Sequence, residues 1–150
     1  MKVLYLHQYF NTIEGSGGTR SYHFAKKLIK EGHKVHIVCL ASKYSNTGLK
    51  GEFKGLLRNG YFQNIEITEI NVPYSNYLNL VKRAFVFFTF AFYASQITLK
   101  SDSDIVLATS TPLTITIPAL INKWVKGIPF IFEVRDLWPE LPQAMGLIKN

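Results

Sequence analysis

The stretch "KVLYLHQYFNTIEGSGGTRSYHFAKKLIKEGHKVHIVCL", residues 2–40, contains the pattern that decides the fold. It opens with a short apolar run at 2–6, continues with an amphipathic segment at 19–31, and closes with a nearly unbroken apolar run at 34–40. Apolar residues at helical spacing predict a helix, and an unbroken apolar run is typical of a strand that is covered on both faces. The stretch therefore predicts a β–α–β unit with a right-handed parallel crossover.

The chain beyond residue 40 continues this alternation. The patterns predict strands at 65–72, 104–108 and 129–134, and helices at 78–99 and from Thr111 to Lys126. Strands that alternate with helices predict an α/β fold: a Rossmann-like, doubly wound, mainly parallel sheet flanked by helices.

Local signals refine the predicted boundaries of these elements. Gly32 and Gly127 stand where glycines end helices, and Thr111 with Pro112 resembles an N-cap followed by a first-turn proline. The polar segment 41–64 predicts a long excursion with at most one helical turn. Alternation at 65–72 predicts a half-buried strand nearer an edge of the sheet.

Size and composition predict one domain spanning residues 1–150. The start lacks the pattern of a signal peptide, and Cys39, the one cysteine, cannot form an internal disulfide, so we expect a cytoplasmic location. The net charge of +7 suits an anionic partner. Because the basic residues are scattered and no recognition motif appears, we do not expect nucleic acid as a partner.

The glycine pair Gly17-Gly18 lies between the first strand and the first helix, with Thr19 and Arg20 following. Glycines at a helix start let an anion approach the backbone N–H groups, and an arginine adds a bidentate donor. A plain turn explains the pair equally well. The dinucleotide fingerprint fits badly, because the loop is long and no acidic residue ends the second strand, which disfavours a nicotinamide-dependent oxidoreductase.

The predicted helix at 78–99 is rich in phenylalanine, and Lys82 and Arg83 stand near its start. Its uncharged stretch is shorter than a membrane span needs. It can be a helix buried against the sheet, or its cations can mark a surface that rests on anionic lipid. Both interpretations stay open on sequence alone.

The segment "FEVRDLWPE", residues 132–140, ends a buried strand with charged groups beside an indole. A salt bridge between Arg135 and Asp136, steadied by Trp138, accounts for it structurally. The functional alternative is that Asp136 or Glu140 faces a polar substrate, with Trp138 packing on a sugar or a lipid.

Taken in order, "MKVLYLHQYF", "GSGGTRSYHFAKKLIKEGHKVHIVC", "ATSTPLT" and "PFIFEVRDLWPE" resemble the N-terminal half of a group 1 (family 4) glycosyltransferase with the two-domain GT-B fold. The likeness covers nearly the whole chain and is greatest to bacterial enzymes of capsule, O-antigen or exopolysaccharide synthesis, including fucosyl- and N-acetylfucosaminyl-type transferases. It implies a retaining transferase that uses a nucleotide-sugar and a lipid-linked or saccharide acceptor, with no metal or other cofactor.

The resemblance also implies roles for individual residues. Gly17, Gly18, Thr19 and Arg20 would face the donor diphosphate. Asp136 would act near the acceptor hydroxyl, as a base or as an orienting hydrogen-bond acceptor. The acceptor side would be lined by His7, Ser110, Thr111, Arg135, Trp138 and Glu140.

The family's second half supplies most of the nucleotide pocket through an E-x7-E motif, and this chain ends at Asn150 before such a half. We therefore expect a part of a longer protein or a subunit that needs a partner, inactive alone. The alternative is a non-catalytic membrane-docking or partner-binding half of a two-subunit transferase. In either case, Lys82 and Arg83 suggest a peripheral position on the inner face of a bacterial plasma membrane.

Overall fold

The computed structural model describes residues 1–42, 45–75 and 77–135. Its strands are β1 (Lys2–Leu6), β2 (Lys34–Leu40), β3 (Leu57–Phe62), β4 (Ile65–Ile70), β5 (Ile105–Thr109) and β6 (Phe130–Glu133). Its helices are α1 (Arg20–Lys30), α2 (Leu80–Lys100) and α3 (Thr116–Lys126), and a 3-10 turn at Leu113–Ile115 leads into α3. The predicted alternation of strands and helices is confirmed.

The strands form one sheet in the order β3-β4-β2-β1-β5-β6. All neighbouring pairs are parallel except β3 and β4. The chain leaves β1 toward one side of the sheet and leaves β5 toward the other, so the winding direction reverses between these two strands. In doubly wound sheets a crevice opens at this point, outside the carboxyl ends of the strands.

Both faces of the sheet are covered, which explains the unbroken apolar runs. In β1, Leu4 and Leu6 pack into a cluster with Val86 and Phe90 of α2. The alternate residues of β1 join a second cluster on the other face, where α1 packs. Cys39, in the apolar run at 34–40, is fully buried in that second cluster, and burial raises the pKa of its thiol.

Two glycines end helices as the sequence predicts. Gly32 has a φ of +84° just after α1, and the N–H of His33 reaches back to the carbonyl of Leu28 at 3.0 Å. Gly127 has a φ of +71° and its N–H bonds the carbonyl of Lys123 at 2.9 Å. This left-handed conformation favours glycine because it has no Cβ.

Helix α1 starts one residue after the predicted start, with Thr19 at the N-cap position, where its side chain makes no cap hydrogen bond. The predicted helix start at Thr111 needs correction. Thr111 does not cap α3, because Pro112 stays extended and a 3-10 turn intervenes before the helix begins at Thr116.

The prediction of an irregular excursion over 41–64 is wrong at β3, which forms the sheet edge by pairing with β4. A tight turn joins these strands because Gln63 and Asn64 both adopt positive φ, 47° and 70°. Gly60 interrupts the strand pattern, yet it leaves room for Leu49, whose Cδ2 would lie 2.8 Å from a Cβ there. With β3 outside it, β4 is mostly buried instead of half-buried.

Candidate functional site

The candidate site lies at the carboxyl edge of the sheet, where the winding reverses. Three segments meet there: the loop after β1, the residues that follow β5, and the end of β6. His7, Ser110 and Arg135 come from these three segments in turn. The topology therefore brings together residues that lie more than a hundred positions apart in the chain.

The glycine loop packs on the side chain of Asn11, whose Oδ1 accepts the backbone N–H of Asn46 at 2.8 Å. A Cβ on Gly15 or Gly17 would collide with the Asn11 amide, so the fold itself requires these glycines. Gly18 differs, because the nearest atom to a Cβ there is Nη2 of Arg135 at 3.9 Å, an ordinary contact. Gly18 is exposed and its φ lies outside the left-handed region, so neither packing nor backbone conformation demands glycine at this position.

Arg135 links the ends of all three segments. Its backbone N–H donates to Oγ of Ser110 at 2.8 Å, and its Nη1 donates to Nε2 of His7 at 3.4 Å. Since Nε2 accepts this bond, the proton of a neutral His7 ring lies on Nδ1. His7 thus orients the guanidinium that lies beside Gly18.

The pKa of His7 is lowered to about 4, mainly because the ring is buried and further because of the positive charges of Arg135 and Arg20. The ring is therefore neutral at pH 7, as an acceptor for Arg135 must be. The guanidinium of Arg135 lies within hydrogen-bond distance of the His7 ring, so its charge repels a proton from that ring. The site thus concentrates positive charge without a charged imidazole.

Arg20, in the first turn of α1, pairs with Glu133 at the end of β6, with Nη2 and Oε1 2.5 Å apart. The other carboxylate oxygen of Glu133 accepts a hydrogen bond from Oγ1 of Thr109 at 2.9 Å. The sequence analysis identified Arg20 but missed Glu133, because it gave the functional roles in segment 132–140 to Asp136 and Glu140. The signal was an acid at the last position of a parallel strand.

Among the described residues, two cavities adjoin this edge. One, of about 270 Å³, has an apolar floor and is rimmed by Arg20, Thr109 and Glu133. The other, of about 290 Å³, is polar and includes the buried carboxylate of Glu69, which is held by Arg58 and by Oγ1 of Thr47 at 2.7 Å. A larger cavity of about 600 Å³ opens at the opposite edge of the sheet. Because ligands of such folds bind at the carboxyl edge, we place the site beside the smaller cavities.

The structure brings together most of the described residues that the sequence predicted. Gly17 and Gly18 are exposed at this edge beside Thr19 and Arg20, and His7, Ser110 and Arg135 form the contacts above. Thr111 follows Ser110 and is exposed. The predicted catalytic Asp136, with Trp138 and Glu140, lies outside the described residues. Lys82 and Arg83 come from a different element, the first turn of α2.

This arrangement suits an anion. The first N–H groups of a helix have no partner within the helix, and they carry the partial positive charge of the helix start. Two guanidiniums stand beside them, and one carboxylate offsets part of their charge. Within the described ranges, no group of three or more His, Cys, Asp or Glu side chains is placed to hold a metal ion.

The fold resembles solved structures at low sequence identity. The C-terminal domain of the PF1911 hydrogenase from Pyrococcus furiosus aligns with a TM-score of 0.61 and 16% identity, covering 88% of this chain and 89% of that one. A second structure of that domain gives a TM-score of 0.59 and 14% identity, covering 88% and 90%.

A third similar structure is an E. coli trehalose-6-phosphate synthase, a GT-B glycosyltransferase, bound with UDP-2-fluoro glucose. Its TM-score is 0.53 at 13% identity, over 88% of this chain and 32% of that one. No family model and no curated protein matches the chain. The α/β Rossmann-like fold is thereby shown. It occurs in a hydrogenase domain and within a glycosyltransferase, so the fold alone does not decide the function.

Proposed function

We propose that the chain is the N-terminal, acceptor-side domain of a retaining GT-B glycosyltransferase. In the whole protein it would help move a sugar from a nucleotide-sugar to a lipid-linked or saccharide acceptor, in bacterial surface polysaccharide synthesis. The sequence resemblance supplies the family, and the likeness to a sugar-nucleotide-bound structure supports the fold that this function needs.

One observation carries the proposal: Gly18 lies open beside Arg135, in a loop that starts α1 at the reversal point of the sheet. The fold does not require glycine there. A glycine that the fold does not need is explained by a ligand that approaches the backbone closely. The helix start and the adjacent guanidiniums match a diphosphate in charge.

Each described residue then has a role. Backbone N–H groups at 17–20 would bind diphosphate oxygens, and Arg20 and Arg135 would meet the negative charge that grows on the diphosphate as the glycosidic bond to the donor breaks. Such fixed donors are effective in a cleft that excludes water. His7 would hold Arg135 in place, since it stays neutral and accepts from it. These roles of the N–H groups and of the two guanidiniums require no metal ion.

The acceptor roles of Ser110, Thr111, Trp138 and Glu140, and that of Asp136 near the acceptor hydroxyl, are part of the proposal. Ser110 is occupied by the N–H of Arg135, so it would act by positioning the strand end. A second half would complete the nucleotide pocket, so we expect this chain to bind weakly and to transfer no sugar alone.

Isothermal titration calorimetry of the chain with pyrophosphate, UDP-glucose and NADH tests the proposal. We expect binding of pyrophosphate and UDP-glucose with Kd on the order of millimolar, and weaker binding of NADH. Arg135→Gln should weaken pyrophosphate binding roughly tenfold, because a charged hydrogen-bond donor is lost.

Lys30→Gln is the matched control, since it removes one positive charge at an exposed position in the last turn of α1, at the opposite end of this helix from the cleft. Equal losses in both variants would show attraction by net charge alone and would contradict the proposal. Binding of NADH tighter than UDP-glucose would favour the oxidoreductase interpretation.

A further inference from the structure

The outward face of α2 carries an exposed apolar stripe. Val81, Phe85, Phe88 and Phe92 are 78%, 72%, 59% and 59% exposed. Their spacing of four, three and four residues places them along one line of the helix. We call these four residues the outer stripe.

Among the described residues, neither core cluster includes a member of the outer stripe. The opposite face of α2 packs on the sheet through Val86, Phe90 and Ala94, all buried in the main core cluster. Soluble proteins seldom expose contiguous apolar patches, and those that occur mark interaction sites. Three exposed phenylalanines in line therefore indicate that something covers this face.

The charges around the stripe identify the kind of partner. Residues 71–101 contain no Asp or Glu. Lys82 and Lys100 are separated by about five helical turns, so they flank the stripe on the same side. Arg83, which the sequence grouped with Lys82, is half-buried, and its charge lies near Tyr9. Lys82 and Lys100 are thus the cations that border the stripe.

We propose that the outer stripe docks the chain on the surface of an anionic bilayer. The helix would lie along the surface, with its phenylalanines at the boundary of headgroups and acyl chains and with Lys82 and Lys100 among anionic headgroups. In the part of the chain that the structure describes, no helix combines the length and the apolar character needed to cross a membrane.

A second copy of the chain packed antiparallel on this face fits poorly. Because both lysines lie on the same side of the stripe, this arrangement would bring Lys82 of one helix near Lys100 of the other. No carboxylate on the helix would offset that repulsion. An anionic surface satisfies the same lysines.

The docking face starts at the edge of the sheet where the candidate site lies. α2 begins after β4 ends at the carboxyl edge, and the Tyr74 ring, just before α2, stands 5.5 Å from the ring of Tyr9 in the loop after β1. A docked bilayer would therefore lie beside the cleft. This inference stands apart from the proposed function, since it predicts lipid binding whatever ligand the cleft holds.

Co-sedimentation of the full chain with vesicles tests it, using phosphatidylcholine alone and with phosphatidylglycerol. We expect binding to the anionic vesicles and little to the neutral ones. The double variant Phe85→Ser/Phe88→Ser should reduce partitioning at least about tenfold. Lys82→Glu/Lys100→Glu should reduce it by roughly fivefold or more for each lysine.

Two matched control variants test whether the loss of binding is specific to α2. Lys30→Glu/Lys50→Glu makes the same change in net charge at exposed positions outside α2, and Tyr61→Ser removes an exposed aromatic ring from β3. Both should bind vesicles like the wild type, and circular dichroism should show every variant folded.

Several results would overturn the inference. One is absence of wild-type binding to phosphatidylglycerol vesicles. Another is an equal loss of binding in the Lys30→Glu/Lys50→Glu control, which would show that net charge alone drives vesicle binding. A third is a dimer, seen by analytical ultracentrifugation, that the phenylalanine variant abolishes without any change in vesicle binding.

Discussion

The cleft at the carboxyl edge and the outer stripe of α2 are both open to solvent, but the fold holds them differently. In the cleft each guanidinium is held by a second side chain: Arg20 by the carboxylate of Glu133, and Arg135 by the neutral ring of His7. The outer stripe instead rests on a helix whose opposite face is the one anchored in the core. Fixed polar groups suit a ligand of defined shape. An apolar line bordered by lysines suits a bilayer surface, which has no defined shape.

The largest effect should separate the two faces of α2. Phe90 is fully buried and Phe88 is mostly exposed. Phe90→Ala should lower the free energy of unfolding by about 3–5 kcal/mol, because it leaves a cavity. Phe88→Ala should change it by less than about 0.5 kcal/mol. Urea unfolding measures both, and similar losses would show that the stripe is structural.

A pH effect should come from the cleft. The folded-state pKa of His7 is about 4 against 6.5 for the unfolded chain, so the native state resists protonation. The neutral His7 ring therefore stabilises the native state fully above pH 6.5. As the pH falls from 6.5 to 4, the free energy of unfolding decreases by about 3 kcal/mol.

His7→Gln should remove this part of the pH dependence. Its unfolding free energy should therefore fall less than that of the wild type between pH 6.5 and 4, in urea unfolding at each pH. Parallel curves for the two proteins would show that His7 is not buried as a neutral ring.

The two glycines should differ in stability. Gly17→Ala forces the added methyl group against Asn11 and should cost about 1–3 kcal/mol. The methyl group added by Gly18→Ala meets only Nη2 of Arg135, at an ordinary contact distance of 3.9 Å, and should cost less than about 0.5 kcal/mol. Thermal unfolding of both variants checks the contrast, and a large loss at Gly18 would mean that the fold, not a ligand, requires this glycine.

The smallest effect should come from the half-exposed pair of Arg20 and Glu133. Glu133→Gln should change stability by less than about 1 kcal/mol, since such pairs contribute little in water. It should strengthen pyrophosphate binding in calorimetry, because the carboxylate no longer competes for Arg20. Weaker binding in this variant would place Arg20 outside the anion site.

Much of the fold was predictable because long apolar runs and helical spacing are strong local signals. The edge strand β3 was not, because Gly60 interrupts its pattern and the reason for that glycine, contact with Leu49, lies elsewhere in the chain. The helix start near Thr111 was misjudged because a 3-10 turn has no distinct sequence signature here.

The candidate site likewise contains residues that were predictable from the sequence and residues that were not. Arg20 and the glycine pair were predictable, since they stand next to each other at a helix start. The roles of Asn11 and Glu133 were not, because each acts through contacts with distant segments that only the folded sheet brings close. The distinction between Gly17 and Gly18 likewise depends on which of them Asn11 touches.

The central claim is that the open backbone at Gly18 binds a diphosphate between α1 and Arg135. Titration of the ¹⁵N-labelled chain with pyrophosphate, followed by NMR, tests it most directly. We predict that the largest amide shifts occur at residues 17–20 and at Arg135, and that Gly18→Ala greatly reduces them. Shifts confined to other residues, or equal shifts in the Gly18→Ala variant, would contradict the account.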